Sequence, residues 1–80
     1  MSISSVKPLH ASATDVQIDA HVIHVWLLDG RVVSAPLEWF PRLRDASERQ
    51  RKNWRLIGNG VGIHWPDVDE DIAIAALLEQ

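Results

Sequence analysis

The sequence predicts a single small α+β domain: an antiparallel hairpin or sheet, a short polar helix and a C-terminal helix packed on the sheet. Three observations carry that prediction. Alternating apolar segments flank an Asp29-Gly30 dipeptide, Ser47 and Gln50 have the spacing of a helix capping box, and the chain closes on the apolar run Ile72 to Leu78. Eighty residues, 46% of them apolar and 24% charged, suit one folded core and leave no room for a second. A chain this short hides only about 60% of its unfolded surface, so self-association as a homodimer would add stability.

Residues 1–13 read as a flexible leader and 14–80 as the domain. From Asp15 onward, Val16, Ile18 and Ala20 alternate with Asp15, Gln17 and Asp19, the period of a half-buried strand. His21 to Leu28 and Arg31 to Ala35 then form a hairpin about Asp29-Gly30. A two-residue loop pairs Leu28 with Arg31, Leu27 with Val32 and Trp26 with Val33. That pairing leaves apolar residues on both faces, one for helices and one for a partner or loop.

Pro36 and Pro41 fence off Leu37-Glu38-Trp39-Phe40 and end the strand, because proline cannot donate to a ladder. Ser47-Glu48-Arg49-Gln50 starts a polar helix running to about Trp54. Gly58, Gly60 and Gly62 break helical structure and admit an irregular extended segment through Trp65, closed by Pro66. The terminal helix takes Ile72 to Leu78, entered through Asp67, Asp69, Glu70 and Asp71, whose charges suit a helix N-terminus.

Charge is distributed unevenly within the net −3. Residues 1–41 stand at −2 and residues 56–80 at −5, whereas residues 42–55 hold Arg42, Arg44, Arg49, Arg51, Lys52 and Arg55 against Asp45 and Glu48, a local +4. Six cations in so short a stretch can attract nucleic acid, and this is the alternative reading of the segment. The acidic total and the acidic C-terminal part favour a solvated face neutralised within the fold.

The residue types exclude much chemistry. Without cysteine there are no disulfides, thiolate nucleophiles or cysteine metal sites, which fits a reducing, cytoplasmic setting. No apolar run reaches the roughly 18 residues of a membrane span, and the N-terminus lacks the order of a signal peptide. The Gly58 to Gly62 stretch lacks phosphate-loop spacing, and no nucleophile elbow occurs, so no catalytic residue and no cofactor is assigned.

His21 and His24 fall on opposite faces of a strand and His64 is remote in sequence, so no metal site is assigned to the histidines. The acids at 67, 69 and 71 lack the glycine and terminal glutamate of a calcium loop. A third reading, metal-assisted or hydrolytic chemistry at His64 with Asp67 and Asp69, rests on residue types alone. Four tryptophans without a tyrosine point elsewhere. Most belong in the core, but tryptophan beside arginine is the composition of interface hot spots, so one or two should meet a partner. The candidate partner-binding set is Trp39, Arg42, Arg44, Arg49, Arg51, Arg55, His64, Trp65, Asp67 and Asp69, with another protein as the partner.

Several of these residues also form a pattern. Leu27-Leu28-Asp29-Gly30, Trp39-Phe40-Pro41-Arg42-Leu43, Glu48-Arg49-Gln50-Arg51 and, above all, the run from Gly62 to Ile72 resemble the bacterial family called domain of unknown function 2442, over residues 14 to 79. The resemblance implies a small intracellular α+β fold with no established enzymatic activity. In that family the domain is sometimes joined to a helix-turn-helix unit, or encoded beside another small protein in an arrangement like toxin and antitoxin. This sequence shows no helix-turn-helix segment, so a partner-binding or sensing role is what carries over. The matching motif residues are Phe40, Pro41, Leu43, Gly62, His64, Trp65, Pro66, Asp67, Asp69 and Asp71.

Overall fold

The structure, a computed structural model, describes residues 12–79. The expected leader therefore lies almost wholly outside the described residues. Two antiparallel three-stranded sheets follow one another along the chain. The first is formed by β1 (Ala13–Ile18), β2 (Val22–Leu27) and β3 (Val32–Pro36), and the second by β4 (Arg55–Ile57), β5 (Gly62–Trp65) and β6 (Glu70–Ala73), each in sequence order. Between them lie a 3-10 turn, Leu37–Trp39, and two short helices, α1 (Pro41–Arg44) and α2 (Glu48–Lys52). Helix α3 (Ile74–Leu78) ends the fold. The α+β class stands.

The first sheet obeys the alternation of its sequence. Val16, Ile23, Val25, Leu27 and Ala35 point inward and are buried, while Gln17, His24 and Ser34 form a row across the outer face. The hairpin register differs from expectation by one residue. Trp26 pairs with Val32 and Val25 with Val33, leaving Leu28, Asp29 and Gly30 as a three-residue loop.

Gly30 takes φ +96°, its amide donates to the Leu27 carbonyl at 3.0 Å, and the Leu27 amide donates to Arg31 at 2.8 Å. Such a loop needs its left-handed residue third, where this glycine stands. The core supplies the deciding energy. The two-residue register would send Val32, Ser34 and Pro36 inward, whereas the observed one sends Val33 and Ala35 and keeps the Ser34 hydroxyl at the surface, against His24 Nδ1 at 2.8 Å.

The prolines act as expected. Pro36 is the last residue of β3, Leu37 turns into the core, and Pro41 occupies the first turn of α1. In α2 the capping box forms completely: the Gln50 amide donates to Ser47 Oγ at 3.1 Å and the Ser47 amide donates to Gln50 Oε1 at 2.9 Å. The helix stops at Lys52 rather than Trp54. Asn53 leaves helical geometry, and Trp54 turns back to pack on the core.

The second sheet contains the larger surprise. Only one extended segment was expected after residue 55, and three strands form. The acids expected at a helix N-terminus sit elsewhere, with Asp67 and Asp69 in the turn after Trp65 and Glu70 and Asp71 on β6. Ile72 and Ala73, read as helix, belong to β6 as well. The cause is pairing: Ile72 lies opposite Ile63, and both are buried, so the first two positions of the apolar run contribute more to the core as strand than as helix. Only then does α3 begin, turning Ile74 and Leu77 inward against β3 and β6.

Gly60 joins the two halves. It adopts φ +91°, and a Cβ there would stand 2.8 Å from the Ala13 carbonyl oxygen, closer than any side chain tolerates. The core runs continuously from Val16, Ile23 and Val25 through Leu37 and Leu43 to Ile63, Trp65, Ile72 and Ile74.

Candidate partner-binding surface

The anticipated residues divide into those that show a surface and those that hold the fold together. Trp39 shows one. It ends the proline-fenced turn and is 54% exposed, whereas Trp65 is fully buried and Trp26 and Trp54 are half-buried. Beside Trp39, Glu38 accepts from Arg44 Nη1 at 3.1 Å, and Arg44 Nε donates to Asp45 at 3.0 Å. Hydrogen bonds to Asp45 and then Glu38 raise the Arg44 pKa, and the same guanidinium lowers that of Asp45. The result is a charged triplet of both signs next to an exposed indole.

Arg42 and Arg51 do different work. The Arg42 guanidinium reaches across to the Asp69 carbonyl at 2.6 Å, holding a turn in which Asp69 adopts φ +54°. Arg51 Nε donates to the Leu43 carbonyl at 2.8 Å, which also accepts from the Ala46 amide at 3.2 Å, and its Nη2 donates at 2.7 Å to the Arg44 carbonyl, which the end of α1 leaves open. The Arg51 carbonyl in turn accepts from the Trp65 indole at 3.0 Å. Trp65 therefore leaves the set of surface residues, because its ring fills the core and its one donor is satisfied there.

The basic and acidic segments meet, but not charge to charge. Asn53 Nδ2 donates to Asp67 Oδ2 at 3.0 Å, and Arg42 chooses the carbonyl of Asp69 over its carboxylate. Among the described residues, the ion pairs of the basic segment are local, Arg44 with Asp45 and Glu38 and Lys52 with Glu48. Arg49 and Arg55 are exposed and have no partner among them.

His64 does not gather with Asp67 and Asp69. It stands on the outer face of the second sheet in a row with Arg55 and Asp71, and its Nδ1 is hydrogen-bonded to Asp71. The described residues contain no cluster of three or more metal-ligating side chains. None of their helices is long and apolar enough to cross a membrane.

Residue types hinted at none of three further contributors. Glu38 and Asn53 are ordinary polar residues until the fold brings partners to them. A cleft between β1 and α2 depends on two segments thirty residues apart.

A family model described as Protein of unknown function (DUF2442) matches residues 13–80, nearly the whole described domain. The chain belongs to that family. For this DUF2442 protein, a solved structure is also similar: a protein of unknown function from Rhodospirillum rubrum ATCC 11170, with a TM-score of 0.74 and 25% identity over 88% of this chain and 87% of that one. No curated protein matches the chain. Of the motif residues, Leu43 and Trp65 are core and Pro41 opens α1, so these serve the fold.

Proposed function

We propose that the protein is a non-catalytic accessory or regulatory module that binds another protein, in the manner of an antitoxin-like partner of a small protein. The observation that carries this reading is the exposure of Trp39 on a turn fenced by Pro36 and Pro41, beside the Glu38, Arg44 and Asp45 triplet. An indole held on a short turn between two prolines loses little conformational freedom on binding. It offers a large apolar area rimmed by charges of both signs, the composition of an interface hot spot.

Recovery of the tagged full-length protein from its own host, in mild salt and after nuclease treatment, tests this reading when wild type and Trp39→Ala are compared. A stoichiometric protein retained by wild type should bind the variant at least about 30-fold more weakly, the scale of a tryptophan hot spot. Equal retention by both, or retention of nothing by wild type, overturns the reading.

A further inference from the structure

β1 is an outer strand of the first sheet, so one of its edges has no partner strand. The adjoining turn fixes which residues face that edge. The Asp19 amide donates to the Val22 carbonyl at 3.0 Å, and alternation along an antiparallel ladder then makes Gln17 with His24, and Asp15 with Trp26, the hydrogen-bonded pairs. Val16 and Ile18, between them, direct their backbone groups away from β2. The Asp15 carboxylate accepts from the Val16 amide at 2.8 Å. The Val16 carbonyl and the amide and carbonyl of Ile18 have no further partner among the described residues.

This edge opens on a cleft of about 560 Å3. Val16 and Ile18 line it together with Gln17, whose side chain takes the opposite sheet face, so the cleft follows the strand's edge rather than either face. The far wall carries the Arg51 and Lys52 cations against the Glu48 carboxylate. Arg51 is committed to the carbonyls of Leu43 and Arg44, and Lys52 pairs with Glu48 at 3.4 Å. The half-buried Ile18 and Trp54 supply apolar surface. On the solvent side, Asp15, Gln17 and Asp19 occupy alternate positions and make a thin acidic line.

We propose that the β1 edge is a strand-addition site for an extended segment of a partner protein. An apolar side chain of that segment enters the cleft over Ile18 and Trp54, and basic side chains at flanking alternate positions face Asp15 and Asp19. Main-chain bonds to Val16 and Ile18 supply affinity and the alternating pattern supplies selectivity. A second copy of this chain is a poor occupant in the register centred on Gln17. Antiparallel pairing of two β1 strands about Gln17 sets Asp15 of each opposite Asp19 of the other, placing like charges across the new ladder. The inference uses a surface separate from Trp39 and does not rest on that reading, so Trp39→Ala should leave this binding unchanged.

The test is a titration of the isotope-labelled full-length protein with the capped peptide Thr-Lys-Val-Thr-Val-Lys-Thr, followed by amide and indole NMR. Shifts confined to residues 15–20, Lys52 and the Trp54 indole are expected, with slowed hydrogen exchange at the Ile18 amide. Methylating the peptide's ladder-forming amides should weaken binding at least about tenfold, since it removes main-chain bonds and keeps the side chains. Replacing both peptide lysines by glutamate should also weaken it, and Gln17→Lys in the protein should narrow that difference. No shift at β1 with millimolar peptide overturns the proposal, as does equal binding of the methylated peptide. Concentration-dependent protection of Ile18 without peptide overturns it too, in favour of a second copy.

Discussion

The two sheets hold themselves together by different means. The first has strands of six, six and five residues whose alternating apolar side chains build a broad inner face, and its two turns are pinned by aspartates. The Asp19 carboxylate accepts from the amides of His21 and Val22, both at 2.8 Å, and Asp29 accepts from the Arg31 amide at 3.0 Å. The second has strands of three, four and four residues. Its neighbours reach into it with long side chains: Arg42 onto Asp69, Asn53 onto Asp67, and Trp65 back onto Arg51. A short sheet with little face to bury leans on side-chain donors, two of them onto backbone carbonyls and one onto a carboxylate. Arginine and tryptophan, which suggest an interface when met in a sequence, are here divided between surface and scaffold.

Two tryptophan substitutions separate those roles most sharply. Trp65→Ala removes a fully buried ring from the core, together with the donor to Arg51, and should destabilise the protein by about 3–5 kcal/mol. Trp39→Ala at an exposed turn should stay within about 0.5 kcal/mol of wild type. Urea unfolding followed by circular dichroism measures both. Similar losses for the two variants would break the distinction between scaffold and surface tryptophans.

The arginines give a smaller version of the same contrast. Arg51→Met keeps much of the aliphatic length but leaves the Arg44 carbonyl without its donor and the Leu43 carbonyl with the Ala46 amide alone, a loss of about 1–3 kcal/mol for charged hydrogen bonds. Arg49→Met, two residues earlier on α2 and without a partner among the described residues, should change stability by less than about 0.5 kcal/mol. Equal effects on the unfolding midpoint would mean that the Arg51 bonds contribute nothing net.

The same division explains what could be read in advance. Period-two alternation, Asp29-Gly30, the two prolines and the Ser47–Gln50 box are local signals, and each produced its element, with the hairpin register off by one because the core rather than the dipeptide chose between loops. The second sheet has no such signal. Arg55-Leu56-Ile57 is too short to show a period, and Ile72-Ala73 becomes strand only because Ile63 lies opposite Ile72. The candidate surface was legible at Trp39 and Arg44. It was not legible at Trp65, Arg42 and Arg51, whose roles depend on carbonyls and core positions that sequence spacing does not reveal.

Acid should divide the sheets as well, with the smallest effect of all. Hydrogen bonds from the His21 amide, then His24 and the Val22 amide, hold the Asp19 carboxyl down at about 2, below its ordinary 3.8, and the Arg31 amide lowers Asp29 in the same direction. A carboxyl depressed in the folded state stabilises fully above its unfolded pKa and loses that contribution as pH falls through the folded value. The first sheet's Asp19 turn should therefore loosen between about pH 4 and pH 2. The Arg42 and Trp65 donors of the second sheet do not titrate in that window. Hydrogen exchange measured across this range should show β1 and β2 amides near Asp19 losing protection before those of β5, and Asp19→Asn should flatten the difference. Simultaneous loss in both sheets would show that the turn aspartates do not set the order in which the fold opens.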